Sequence, residues 1–277
     1  MTRNNDGLCF MSLSSGSCGN CYYLAAPEGA LLIDAGVSLR RLKKCFAENS
    51  IELSSVLGVL VTHDHLDHIR HLGSFCKHLS LPVYTTPTIH GALARHTFTA
   101  DWITPCRRDI LPASSPSEIP QILEIGPFRI ECFIVPHDAT QTVGYHIRTR
   151  SHSFTIMTDI GRMTDEALCY ASKSDTVVIE SNYDMGMLMG GPYTYELKMR
   201  IVQGCGHLSN DECAEAVSRF CHDGLRNIFL CHLSENNNTR ELAYSATSDA
   251  LTESGIQGGT ISLRCLPRQT PSTLFHL

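Results

Sequence analysis

Apolar and polar residues alternate along this chain in short blocks, and most apolar blocks have the length of a strand. Leu8 to Leu13, Cys21 to Ala25 and Ala30 to Ile33 predict three strands, with the turn-forming "SSGSCGN", Ser14 to Asn20, between the first two. Leu39, Leu42, Cys45 and Phe46 recur at helical spacing and predict a helix from Leu39 to Glu48. The continuous run Val56 to Val61 reads as a buried strand. A helix is predicted from Asp67, or just after it, toward Leu79, then a strand at Pro82 to Thr85 and a helix at Thr88 to Ala94. Thr97 to Pro120, rich in Pro, Ser and Arg, reads as a surface loop with short pieces of structure. Further strands are predicted at Phe128 to Val135, Val143 to Ile147 and Phe154 to Met157, and a helix starts at Thr164. Thr176 to Ile179 is a strand ending at Glu180. Ser209 with Glu212 forms a capping box that opens a helix to about Phe220. Asn227 to Cys231 is a strand, Asn238 with Glu241 predicts another capped helix, and Ile261 to Leu266 is a last strand.

Many strands with helices between them predict an α+β fold, two sheets with helices on their outer faces. No GxGxxG or GxxxxGK stretch follows the first strand, which argues against a doubly wound nucleotide fold. The polar residues at strand ends change the picture. Directly after Val56 to Val61 comes "THDHLDH", Thr62 to His68. Imidazoles and carboxylates do not accumulate there for packing, but on a rigid support they suit a metal site. His63, His65, Asp67, His68, His137, Asp159 and His232 all follow apolar strands, and this mixed N/O set suits zinc, manganese or iron. His63 and His65 can grip one ion, Asp67 and His68 a second, and Asp159 can bridge both. Two ions about 3.5–4 Å apart lower the pKa of a bridging water and stabilise attacking and leaving oxygens. Glu180 is a further strand-end carboxylate that can support these donors. His71, His78, His90, His96, His146, His152 and His222 lack this placement and read as surface or packing residues.

Composition narrows the class. The chain has 277 residues, 43% of them apolar, and a net charge of -6, so it has material for a real core and no global attraction to nucleic acid. Thirteen scattered cysteines fit a reduced, cytoplasmic chain. "CGNC", Cys18 to Cys21, lies between two strands and reads as loop geometry rather than a redox motif. No apolar run approaches the length of a membrane span.

"THDHLDH" has the form HxHxDH. With Asp34 after a strand and with His137, Asp159 and His232 following in order, the chain resembles the metallo-beta-lactamase superfamily over nearly its whole length. The resemblance implies an αββα four-layer sandwich with two divalent ions, zinc or manganese, at one edge of the sheets. His63, His65 and His137 would hold one ion, Asp67, His68 and His232 the other, with Asp159 bridging and Asp34 orienting the site from behind. "SLSSGSCGNCYYL", "PHDATQTVGYHI", "TDIGRMTDEAL", "ESNYDMGMLMGGPYTYELKMRI", "GHLSND" and "CHLSENNNTRELA" are similar to the YycJ/WalJ-like exonuclease subgroup. Residues 160–231 leave no room for the β-CASP insertion of larger nucleases in this superfamily, so one domain over 1–277 is expected.

The subgroup implies a 5′-to-3′ DNA exonuclease that uses a hydroxide bridging the metals, on DNA with an accessible 5′ end. Asp67 and Asp159 would orient the nucleophile. His207, just before a helix N-terminus, would serve phosphate or the leaving oxygen. Ser15, Asn182 and Ser234 are candidate phosphate or substrate contacts, and Arg162, Lys198, Arg200 and Arg240 candidate backbone contacts. The rival on the same core is a thioester or lactone hydrolase, which needs an acyl pocket instead of a strand-binding cleft. An iron–flavin oxidoreductase would need a flavin domain, and a non-catalytic nucleic-acid binder would not need the complete donor set.

Overall fold

The computed structural model describes residues 7–113, 120–255 and 261–277. Strands β1 (Cys9–Ser14), β2 (Cys21–Ala26) and β3 (Gly29–Ile33) form an antiparallel meander. Helix α1 (Leu39–Glu48) crosses over to β4 (Val56–Leu60), parallel to β3, and buries Leu42, Cys45 and Phe46 as its spacing predicts. Helices α2 (Leu66–Ile69) and α3 (Leu72–Leu79) lead to β5 (Val83–Thr85). Helices α4 (Pro87–Leu93) and α5 (Ala100–Cys106) lead to β6 (Arg107–Asp109), so the Thr97 to Pro120 loop carries a helix and a strand; its residues 114–119 lie outside those described. The second sheet begins with β7 (Leu123–Ile125), β8 (Phe128–Val135), β9 (Thr142–Arg148) and β10 (Ser153–Met157), all antiparallel. Helix α6 (Asp165–Ala171) crosses to β11 (Thr176–Glu180). Helices α7 (Met185–Gly190), α8 (Tyr195–Val202) and α9 (Asn210–Phe220) precede β12 (Asn227–Cys231), and α10 (Arg240–Glu253) precedes β13 (Ser262–Cys265). Strands β10 to β13 are parallel, and β14 (Phe275–His276) returns to pair with β1.

Two seven-stranded sheets result, ordered β14-β1-β2-β3-β4-β5-β6 and β13-β12-β11-β10-β9-β8-β7. They pack face to face with helices outside, the predicted αββα sandwich. Alternation along the buried strands divides the core. Val178, Phe229 and Cys231 face the first sheet, with Phe10 against Phe154 and Phe229 at centroid distances of 5.3 and 4.9 Å. Val177, Ile179, Ile228 and Leu230 face α6, α9 and α10.

Two expectations are corrected. The helix predicted from Asp67 toward Leu79 is broken at His71, because the Asp67 carbonyl accepts from Asn20 N–H at 2.8 Å and His71 N–H turns to the Ala35 carbonyl at 3.0 Å. Thr239, not Asn238, caps α10 by accepting from Leu242 N–H at 3.1 Å. Asn238 is buried, and its amide donates to the Ser181 and Asn182 carbonyls. The Ser209–Glu212 capping box is present as predicted.

Candidate metal centre

Parallel strands gather their C-terminal ends on one edge, where open sheets place their sites. Asp34 follows β3, Thr62 to His68 follow β4, Asp159 follows β10, Glu180 ends β11 and His232 follows β12. Asp34, Asp159 and His232 have φ of 62°, 53° and 53°, a left-handed backbone that costs about 1–3 kcal/mol each in a residue with a side chain. Three such residues at one edge mark a place where geometry overrides local preference.

The first-sheet loop is zipped in place by backbone hydrogen bonds. Asp34 N–H reaches Leu60 O at 2.8 Å, Ala35 N–H reaches His68 O at 2.7 Å, and Gly36 N–H reaches Asn20 O at 2.8 Å. A Cβ on Gly36 would lie 1.8 Å from the Asp67 carbonyl and 2.4 Å from Asn20 N, so only glycine fits there. Asp64 ties the same loop to the second sheet by accepting from Thr140 N–H and Oγ1 at 3.1 and 2.6 Å.

Four histidines are oriented through Nδ1. His68 Nδ1 donates to Asp34 Oδ2 at 2.7 Å, and His63 Nδ1 meets Thr62 Oγ1 at 3.0 Å. His137 Nδ1 donates to the Gly206 carbonyl at 2.7 Å, and His232 Nδ1 to Glu180 Oε1 at 3.1 Å. This leaves their Nε2 lone pairs facing inward, the arrangement that orienting partners give metal-binding imidazoles. His63 Nε2 and His232 Nε2 are buried without a hydrogen-bond partner.

Distances test whether cations fit. Tetrahedral donors at 2.0–2.1 Å from one ion are separated by about 3.3 Å. His65 Nδ1 and His137 Nε2 are 3.2 Å apart, and His68 Nε2 and Asp159 Oδ2 3.1 Å. Asp67 Oδ2 lies 3.5 Å from both His68 Nε2 and His232 Nε2. His63, His65 and His137 thus form one donor group and Asp67, His68 and His232 another. Asp159 stands between them, Oδ1 3.8 Å from His137 Nε2 and Oδ2 toward His68. A further grouping of Asp159, Glu180, His207 and His232 is already knit by hydrogen bonds, with His207 Nδ1 2.7 Å from Glu180 Oε1. The clusters suit one or two divalent ions, and two such ions would balance the charge of Asp34, Asp67, Asp159 and Glu180.

The titration pattern follows from this crowding. Burial alone would lower the His68 pKa, but Asp159, Asp34 and Asp67 raise it well above the ordinary range. His232 is raised to about 10 against its burial, by Asp159, Asp67 and Glu180. Burial, then the neighbouring His68, holds His63 well below its ordinary value. Asp159 is also held low: burial opposes its ionisation, but His232 and His68 outweigh it. Cations compensate the same carboxylates, so metal binding would release protons.

The sequence profile of the beta-lactamase superfamily domain matches residues 30–232, spanning the loop after β3 and all seven donors. The chain belongs to the metallo-beta-lactamase superfamily. It is 32% identical over 259 residues to the Bacillus anthracis protein named Exodeoxyribonuclease YycJ, covering 91% of this chain and 92% of that one. It is 30% identical over 253 residues to Exodeoxyribonuclease WalJ of Streptococcus pneumoniae, covering 91% of each. The metallo-beta-lactamase fold protein YhfI from Bacillus subtilis superposes with a TM-score of 0.67 at 17% identity, over 98% of this chain and 100% of that one. Zn(2+)-bound PqqB from Methylobacterium extorquens gives 0.67 at 15% identity, over 96% and 99%. These last two likenesses bear on fold alone.

Around this superfamily centre lies a cleft of about 330 Å³, lined by Ser17, His65, Asn182, Arg200, His207 and Ser234 among others. Asn182 and Ser234 therefore reach the cleft as expected. Ser15 does not: it is fully buried, accepting from His232 N–H at 2.9 Å and meeting Tyr22 Oη at 2.9 Å, so the expectation of a phosphate contact there is corrected. Ser17, two residues on, lines the cleft instead. Glu180 is fully buried and holds both His207 and His232. Burial works against a charged His207, but Glu180 and Asp159 raise its pKa. Cys18 is exposed and Cys21 buried, both as free thiols.

The sequence reading missed two residues. Asn20 donates to Asp67 Oδ2 at 3.1 Å and sits 2.8 Å from His68 Nε2; its signal was its place beside the glycine turn. Asp138 lies 3.5 Å from His137 Nε2 and takes the Arg200 guanidinium at 2.9 Å. It directly follows a candidate histidine. Among the described residues, no helix is long and apolar enough to cross a membrane.

Proposed function

We propose that the chain is a dinuclear-metal phosphodiesterase, a 5′-to-3′ exonuclease acting on DNA with an accessible 5′ end. The observation that carries this reading is the pair of donor triads with one Asp159 oxygen turned to each. Two ions there, zinc or manganese, would supply Lewis acidity and lower the pKa of water between them. The chain's own groups do the rest. Asp34, Thr62, the Gly206 carbonyl and Glu180 fix the imidazoles, so the site needs little reorganisation during reaction. Asp67 and Asp159 accept hydrogen bonds from the attacking water and orient it. His207, charged against Glu180 and open to the cleft, donates a proton to the leaving oxygen. Ser17, Asn182, Ser234 and Arg200 give the cleft polar groups that suit a phosphodiester, and Tyr193, Leu197 and Ile201 form an apolar side. The names of the YycJ and WalJ relatives support DNA as the substrate. A single cytoplasmic domain without an inserted β-CASP unit completes the reading.

End-labelled single- and double-stranded DNA and RNA, offered with manganese or zinc, test it. Stepwise shortening of 5′-phosphorylated DNA is expected. His65→Ala and Asp159→Ala should each lower it at least about a hundredfold, since losing even an orienting partner costs 10–100-fold. A protein that carries two metals yet cuts no strand and opens thioesters or lactones would replace this reading with the acyl hydrolase.

A further inference from the structure

The cleft over the metal centre continues into a groove that the chemistry above does not use. Ser17 lines both the cleft and a constriction of about 20 Å³. The constriction shares Leu233, Glu235 and Arg268 with a cavity of about 610 Å³. That cavity shares Arg240 and Pro267 with another of about 750 Å³, whose wall includes Arg264, Tyr244 and Phe275. Shared wall residues thus set the four spaces side by side from the metal centre, past the start of α10, to the outer edge at β13.

The groove's walls carry three arginines and two glutamates. Arg268, Arg240 and Arg264 follow one another along it. Arg268 donates to the Ser234 carbonyl at 2.8 Å, Arg240 to the Cys265 carbonyl at 2.7 Å, and Arg264 lies over the Phe275 ring at 5.0 Å. Among the described residues none of the three forms an ion pair with a carboxylate. Each guanidinium has five N–H donors, so most remain for another acceptor. Arg41 braces the wall from behind, donating to the Leu13 carbonyl at 2.5 Å and to the Gln269 carbonyl. Glu235 and Glu241 also line the groove, leaving the balance positive in a chain of net charge -6. By contrast Arg107, Arg148 and Arg200 are held by Asp109, Glu131 and Asp138.

Spaced guanidiniums with an aromatic face at the outer end suit a single nucleic-acid strand: phosphates meet the arginines, and a base stacks on a flat ring. Tyr244 is the exposed ring; Phe275 is already packed against Arg264 and Phe229. The space at Ser17 and Arg268 holds no more than a water-sized group, so a strand leaving the cleft would cross it on the surface. We propose that this groove carries the retained single strand of a DNA substrate while its terminal nucleotide occupies the cleft, an inference that rests on the exonuclease reading.

The test uses metal-loaded, full-length protein and a 5′-phosphorylated oligothymidylate of about fifteen residues with phosphorothioate linkages that resist cleavage. Binding is read by fluorescence anisotropy over a salt series. The double variant Arg240→Gln/Arg264→Gln should bind it about tenfold more weakly, and its salt slope should fall by about 1.4, the share of two single-strand phosphate contacts. Affinity for a dinucleotide and hydrolysis of bis(p-nitrophenyl) phosphate should stay within twofold of wild type. A melting curve shows whether the variant is folded, and the single variant Arg264→Gln, on an exposed strand position, gives a second reading. Unchanged oligonucleotide binding, an equal loss for the dinucleotide, or tighter binding of a blunt duplex overturns the groove. If the wild type cuts DNA while the variants bind normally, the groove fails and the exonuclease reading stands. If the wild type neither binds nor cuts DNA, both fall.

Discussion

The two sheets share one pairing pattern and use it differently. Read from β14 to β6 and from β7 to β13, each has its antiparallel pairs first and its parallel pairs after. At the matching place, after β3 and after β10, each ends in an aspartate with left-handed backbone, Asp34 and Asp159. Asp34 is turned back onto Thr62 and His68 and saturated there, whereas Asp159 faces both donor groups. The first sheet then delivers His63, His65, Asp67 and His68 from one contiguous loop. The second delivers His137, Asp159, Glu180 and His232 one strand end at a time. The contiguous loop is held by backbone hydrogen bonds to the turns at Asn20 and Ala35, whereas the distributed set is held by strand register and by the side chains behind it.

Breaking the loop should have the largest effect. Gly36→Ala drives a Cβ into two backbone atoms, the Asp67 carbonyl and Asn20 N. We expect a loss of about 4 kcal/mol or more in a denaturant melt, together with lost metal. A melt within 1 kcal/mol of wild type would mean the loop is softer than its hydrogen bonds suggest.

Acid should next test the second sheet away from its donors. Burial, then Arg148 and Lys173, pushes the His146 pKa down to about 4. The ring is 3% exposed and bonded to Thr155. Because the unfolded histidine titrates near 6.5, the unfolded chain binds the proton first. Stability is therefore complete above about pH 6.5 and falls as pH drops toward 4, by up to about 3 kcal/mol from this residue. His146→Gln should flatten that part of the stability profile; an unchanged slope would assign it elsewhere.

Asp34→Asn and Glu180→Gln compare the two backing carboxylates directly. Each should weaken metal affinity by roughly 10–100-fold, measured by competition with a chromophoric chelator. Excess metal should restore turnover in Asp34→Asn but not in Glu180→Gln, because Glu180 also holds His207. Equal recovery would remove His207 from the reaction.

The smallest effect is expected at Ser15. Ser15→Ala should cost about 1–2 kcal/mol, the value of a buried hydrogen bond to His232 N–H, with the substrate KM unchanged. A raised KM without lost stability would return Ser15 to the substrate.

By itself the sequence determined the elements whose causes are local. Hydrophobic runs marked the strands, the Ser209–Glu212 box marked the start of α9, and "THDHLDH" announced one half of the centre, because all of these act over a few residues. Tertiary structure decided what depends on partners far along the chain. It broke the helix at His71 by giving the Asp67 carbonyl to Asn20, buried Ser15 beneath His232, and brought Asn20 and Asp138 to the donors. It also put Asp34 and Asp159 at equivalent ends of two sheets and let only one face the centre. A side chain's role there depends on which hydrogen-bond partners the fold has already given it, and those partners lie tens to hundreds of residues away.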